Sequence, residues 1–113
     1  MSQAQMQQVI ISEVGGPEKL AYETVTIPTA QAEEVLVKVH AFGINRPDIL
    51  QRQGLYPMPK GVTPVPGLEV AGEVIAVGGN VTLFAVGDKV CGLTNGGGYA
   101  EYCVVPESQT INI

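Results

Sequence analysis

Glu34-Val35-Leu36-Val37-Lys38-Val39-His40 is the stretch on which the fold turns. Val35, Val37 and Val39 recur at every second position with Leu36, Lys38 and His40 between them, so one β-branched face packs inward and the other is mixed. A helix would scatter those three valines around its axis; a strand aligns them. Outward from this strand, 14 glycines and 8 prolines are spread along 113 residues and cut the chain into short apolar runs, the pattern of an all-β barrel or sandwich. Residues 9–12 and 20–27 are strand candidates joined by a turn at Gly15-Gly16-Pro17, two φ-permissive residues followed by a φ-fixed one. The one helix candidate follows the central strand. Asn45 suits its N-cap, Pro47 its first turn and Asp48 its dipole, Gly54 stops it, and Ile49 and Leu50 turn inward. Pro57, Pro59, Pro64 and Pro66 then punctuate a stiff, exposed loop, since none can donate to a ladder. A long strand is expected over 68–77, turns at Gly78-Gly79-Asn80 and Gly87-Asp88, and strands over 89–93 and 99–105.

With 45% hydrophobic and 15% charged residues the chain has globular composition. A single domain of this size buries roughly two thirds of the surface its unfolded form exposes. Lys plus Arg count 6 against 11 Asp plus Glu, a net charge of -5, and basic residues nowhere cluster, so nucleic acid is excluded as a partner. Residues 1–8 are polar and Gln-rich without the features of a secretory signal, and no run approaches the roughly 20 apolar residues of a membrane span. The chain reads as cytoplasmic, with no membrane partner. Cys91 and Cys103 lack the paired spacing of a zinc knuckle or redox pair and read as ordinary buried thiols. The sole histidine, His40, has no carboxylate expected at a neighbouring strand position and reads as a partly exposed strand residue rather than a catalytic base. Gly96-Gly97-Gly98 lacks the spacing of a dinucleotide phosphate loop and reads as a turn.

Four stretches carry a specific resemblance. Gly43-Ile44-Asn45-Arg46-Pro47-Asp48 comes first, then Arg52-Gln53-Gly54-Leu55-Tyr56-Pro57, then Gly67-Leu68-Glu69-Val70-Ala71-Gly72 with Gly78 beyond it. Last come Val86-Gly87-Asp88-Lys89-Val90 and Gly97-Gly98-Tyr99-Ala100-Glu101-Tyr102. In this order and spacing they resemble the N-terminal GroES-like catalytic domain of zinc-free quinone oxidoreductases, in the medium-chain dehydrogenase/reductase superfamily. The resemblance implies a mainly β fold over residues 1–113, a partly open GroES-like barrel with one short helix. The family's Rossmann nucleotide-binding domain is absent from this chain, which is expected to be inactive alone.

Zinc members of the superfamily have a metal-binding cysteine at the place of Asn45 and a metal-binding histidine at the place of Leu68. Neither residue here can replace them, so no metal site is expected. By resemblance the activity is zinc-independent hydride transfer from NADPH, held mainly by the missing domain, to a quinone or α,β-unsaturated carbonyl, in a homo-oligomer. Asn45, Arg46, Pro47 and Asp48 would border the nicotinamide, and Asn45 and Tyr56 would be catalytic, Tyr56 donating to the developing oxyanion. Bland alternatives stand beside these: Asn45 as a plain N-cap, Tyr56 as an exposed loop tyrosine, Asp48 and Arg52 as an i,i+4 helix pair, and Glu69 as a buried structural carboxylate with partners. A different class, a co-chaperonin-like or partner-binding module on the same barrel, would require a long mobile apolar loop, against which the proline-rich loop speaks.

Overall fold

Valine dominates the interior. Val35, Val37, Val74, Val90 and Val105 are among the large side chains that are almost wholly buried, joined in one cluster by Val70 and Cys103. β-Branched residues lose little rotamer freedom in a pleated sheet, which is why such a core builds strands. In the computed structural model, which describes residues 4–55 and 63–113, these strands are β1 (Gln5–Ile11), β2 (Leu20–Thr26), β3 (Glu34–Phe42), β4 (Glu69–Val77), β5 (Lys89–Leu93), β6 (Tyr102–Pro106) and β7 (Thr110–Asn112). Among the described residues one α-helix, α1 (Arg46–Arg52), lies between β3 and β4. β1 and β2 pair antiparallel from Gln5↔Thr26 to Ile11↔Leu20; the other strands form an antiparallel sheet in the order β6-β3-β4-β5-β7. The sheet curls into a half-barrel. The chain is mainly β, as its sequence predicts.

The period-two reading of β3 holds for Val35 and Val37, although Leu36 on the other face is buried as well. The strand expected over 99–105 begins only at Tyr102, because the Tyr99 and Ala100 amides turn to the Pro66 and Gly98 carbonyls. β7 was not expected; its three residues give no periodicity to read. His40 sits exposed at a β-bulge, between the Val39↔Gly72 and Ala41↔Ala71 pairs. Contrary to expectation a carboxylate is close to it. Glu73 lies on the neighbouring strand, held below the usual carboxylate range chiefly by Lys89, with smaller contributions from His40 and Lys38.

Both cysteines are free thiols, Cys103 buried and Cys91 half-buried. Burial pushes the Cys103 thiol from an ordinary value of 9.0 up to about 11. Between those values the unfolded chain loses a proton that the folded chain keeps, so this contribution to stability is complete below pH 9 and declines as pH rises toward 11. Urea midpoints measured from pH 8 upward should fall above about 9, and Cys103→Val should flatten that fall. An equal slope in the variant would remove Cys103 as its source.

Candidate functional site

α1 is under two turns long and would not persist alone. Tertiary hydrogen bonds hold it. At its C-terminal end the Gly15 amide donates to the Arg52 carbonyl (2.9 Å) and Arg52 Nε to the Gly15 carbonyl (3.1 Å). The Gln51 amide reaches the Pro64 carbonyl at 2.7 Å. At its N-terminal end Asn45 is extended, as an N-cap should be, and its carbonyl accepts the Asp48 amide at 3.0 Å. The Asp48 carboxylate closes back on the Asn45 backbone N–H, also at 3.0 Å. Pro47, in the first turn, costs no hydrogen bond.

The cap is also the centre of a polar cluster. Asp48 is only 4% exposed, and its Oδ2 accepts a second hydrogen bond from the Tyr99 hydroxyl at 2.9 Å. Its Oδ1 is buried without a partner among the described residues. Burial, then the Asp48 carboxylate, pushes the Tyr99 phenol well above its ordinary range. The Tyr99 ring stacks on Phe42, centroids 4.5 Å apart. Asn45 Nδ2 donates to Glu69 Oε1 at 3.2 Å. Beside this cluster opens a cleft of about 650 Å³, with Phe42, Val70, Leu93 and Ile111 among its apolar lining and Gly43 and Glu69 bringing polar atoms to it. Such a cavity, apolar with a few placed polar groups, is the usual form of a small-molecule site.

Several expectations change here. The helix buries Asp48, while Ile49 and Leu50 are only half-buried. Asp48 and Arg52 do not pair: the carboxylate is taken by Tyr99 and the Asn45 amide, the guanidinium by Gly15. Glu69 is exposed at the start of β4, not buried. Asn45 and Asp48 meet at the helix start with Pro47 in the first turn between them; Arg46 is exposed at the first helical position. Tyr56 lies outside the described residues. Tyr99 was missed as a site residue: it stands 51 positions from Asp48, and only its place in the Gly97-Gly98-Tyr99 stretch marked it.

Residues 31–113 match the alcohol dehydrogenase GroES-like domain family. The chain belongs to that family. A quinone oxidoreductase of Rattus norvegicus is 38% identical over 107 residues, covering 93% of this chain and 32% of its own length. The GroES-like domain superposes on the human synaptic vesicle membrane protein VAT-1 homolog-like protein with TM-score 0.90 at 32% identity, covering 97% of this chain and 36% of that one. It also superposes on Escherichia coli quinone oxidoreductase complexed with NADPH with TM-score 0.87 at 30% identity, covering 95% and 33%. The chain thus spans about a third of the length of the relatives it matches. No helix among its described residues is long and apolar enough to cross a membrane.

Proposed function

We propose that this GroES-like domain is the substrate-side wall of an NADPH-dependent reductase that passes hydride to a quinone or an activated alkene without zinc. The observation that carries the reading is the cleft itself, apolar walls with Asn45 and Glu69 meeting beside them. Planar acceptors and the nicotinamide ring suit the walls, and ribose hydroxyls suit the acceptor oxygens of Asn45 and Glu69. Bound there, the cofactor supplies the hydride. Asn45 holds the nicotinamide side in place, with Pro47 and Asp48 fixing the turn that carries it and Arg46 at its edge. In this reading the remaining cofactor contacts fall to a nucleotide-binding domain, and the GroES-like domain supplies one side of the cleft.

The donor set argues for zinc independence. Asn45 presents an amide already engaged with Glu69, Leu68 presents no donor, and among the described residues no three His, Cys, Asp or Glu side chains gather. A catalytic zinc needs three such ligands. Charge on the acceptor oxygen must then be met by hydrogen-bond donors, the role we give Tyr56.

The test is reduction of a benzoquinone by a protein carrying this domain together with a nucleotide-binding domain. NADPH-dependent turnover that survives a strong chelator supports the reading; turnover restored only by zinc, or none with any quinone or enone, overturns it. In that protein Tyr56→Phe should lower turnover about 10-fold, the usual scale for losing one donor to a developing charge. Unchanged turnover across several acceptors would return Tyr56 to an ordinary loop residue.

A further inference from the structure

Gly43 and Glu69 form a second part of the site that sequence reading left unassigned. A Cβ at Gly43 would fall on the Glu69 carboxylate: its three nearest heavy atoms are Glu69 Oε1, Cδ at 2.7 Å and Cγ at 2.9 Å. The missing side chain at 43 is therefore the slot in which the Glu69 carboxylate lies. The Gly43 amide also donates to the Glu69 carbonyl at 3.3 Å, so the two residues meet through backbone and side chain. The backbone at Gly43 does not have positive φ, so its conformation is open to other residues; what glycine provides is the space. From the slot, Oε1 reaches Asn45 Nδ2. A carboxylate can only accept, so the end of the Asn45 amide facing it must be the NH₂ group. The carboxylate thereby fixes which face of Asn45 is donor and which is acceptor.

We infer that Glu69 is a positioning residue: seated in the gap at Gly43, it sets the orientation of the Asn45 amide toward the bound cofactor. The inference rests on the reductase reading for its functional side, and on Gly43, Glu69 and Asn45 alone for its structural side. Asn45 with its amide turned over would present NH₂ where a ribose hydroxyl needs an acceptor, and small errors of placement in a hydride-transfer site are costly.

Two measurements test it. In a crystal structure of the Gly43→Ala chain, the Glu69 carboxylate should be displaced and the Asn45 side chain rotated, with the 43–48 backbone in place. The Glu69→Ala structure should show the same rotation and serves if Gly43→Ala does not fold. An Asn45 side chain unmoved in either overturns the inference. In the two-domain protein, Gly43→Ala and Glu69→Ala should each lower kcat/KM for NADPH about 10-fold. The double variant should be no worse than either, since both remove one interaction, and Glu69→Gln, which keeps an accepting oxygen, should recover part of the loss. Additive losses, or no recovery with glutamine, would reduce Glu69 to a structural residue. If Asn45 rotates but the parent protein reduces no acceptor, the reductase reading fails and the functional side of this inference falls with it.

Discussion

Gly72→Ala is expected to strip the domain of most of its stability. Gly72 lies buried in the middle of β4, opposite Val39, on the core face shared with Val70 and Val74. A Cβ there would fall on the Lys38 carbonyl oxygen and lie 2.9 Å from its carbon and 3.0 Å from Val37 Cγ1. The obstacle is backbone, and the Lys38 carbonyl can retreat only by parting β3 from β4, the central pair of the sheet. Glycine inside a strand commonly marks such a close approach. Overpacking a core ordinarily costs 1–3 kcal/mol, and with a backbone atom as the obstacle we expect about 4 kcal/mol, most of the stability of a small domain. Gly79→Ala is the matched control: among the described residues nothing lies within 4 Å of its Cβ position, and its φ is not positive. Circular dichroism and urea titration should show Gly79→Ala within about 0.5 kcal/mol of the parent. A cooperative, near-normal transition for Gly72→Ala would mean that the two strands are less closely joined than described.

Tyr99→Phe should cost about 2–4 kcal/mol, equivalent to a fall in Tm of roughly 10–20 °C for a domain of this size. Phenylalanine retains the stacking on Phe42 and removes only the hydroxyl. What remains is a buried Asp48 carboxylate with, among the described residues, one oxygen already unpartnered and the other left with the Asn45 amide alone. An orphaned buried charge is penalised by its desolvation, which exceeds the net value of the lost hydrogen bond. Adding Asp48→Leu to Tyr99→Phe should therefore recover part of the stability, because the buried carboxylate is then gone and only the half-buried Asn45 N–H loses its partner. Calorimetry of the two variants decides it; a Tyr99→Phe effect below about 0.5 kcal/mol would mean that water serves Asp48 as well as tyrosine does.

How much of this could be read in advance follows from the range of the interactions. β3 and β5 and the helix start at Asn45-Arg46-Pro47-Asp48 depend on neighbours in sequence, through period-two valines and local cap chemistry, and these were legible. The partners of the cap were not. Asp48 looked like a surface dipole partner for Arg52, four residues on, because the sequence shows what is near along the chain and cannot show Tyr99 arriving from beyond β5. Glu69 misled for the same reason: it starts a strand whose next residue, Val70, is core, yet the alternation turns its own side chain outward toward Asn45. The resemblance of the Gly97-Gly98-Tyr99 stretch marked the tyrosine without its role. Glycines were read as turn formers, whereas Gly43 and Gly72 are there for the volume they leave empty.

Tyr99 also ties together three separate parts of the molecule. Its carbonyl accepts the Val9 amide of β1 at 2.8 Å, its own amide donates to Pro66 at 3.0 Å, and its hydroxyl holds Asp48 at the start of α1. The β1–β2 ribbon, two strands that would not stand alone in water, meets the rest of the fold here, beside the Gln8↔Ala100 bridge. Fluctuations that peel the ribbon away must therefore strain the anchor of the helix as well, and the two open as one cooperative unit. A ligand that steadies Asn45 would slow solvent exchange at the amides of the N-terminal ribbon, and whatever loosens that ribbon would weaken the grip on the ligand by the same factor.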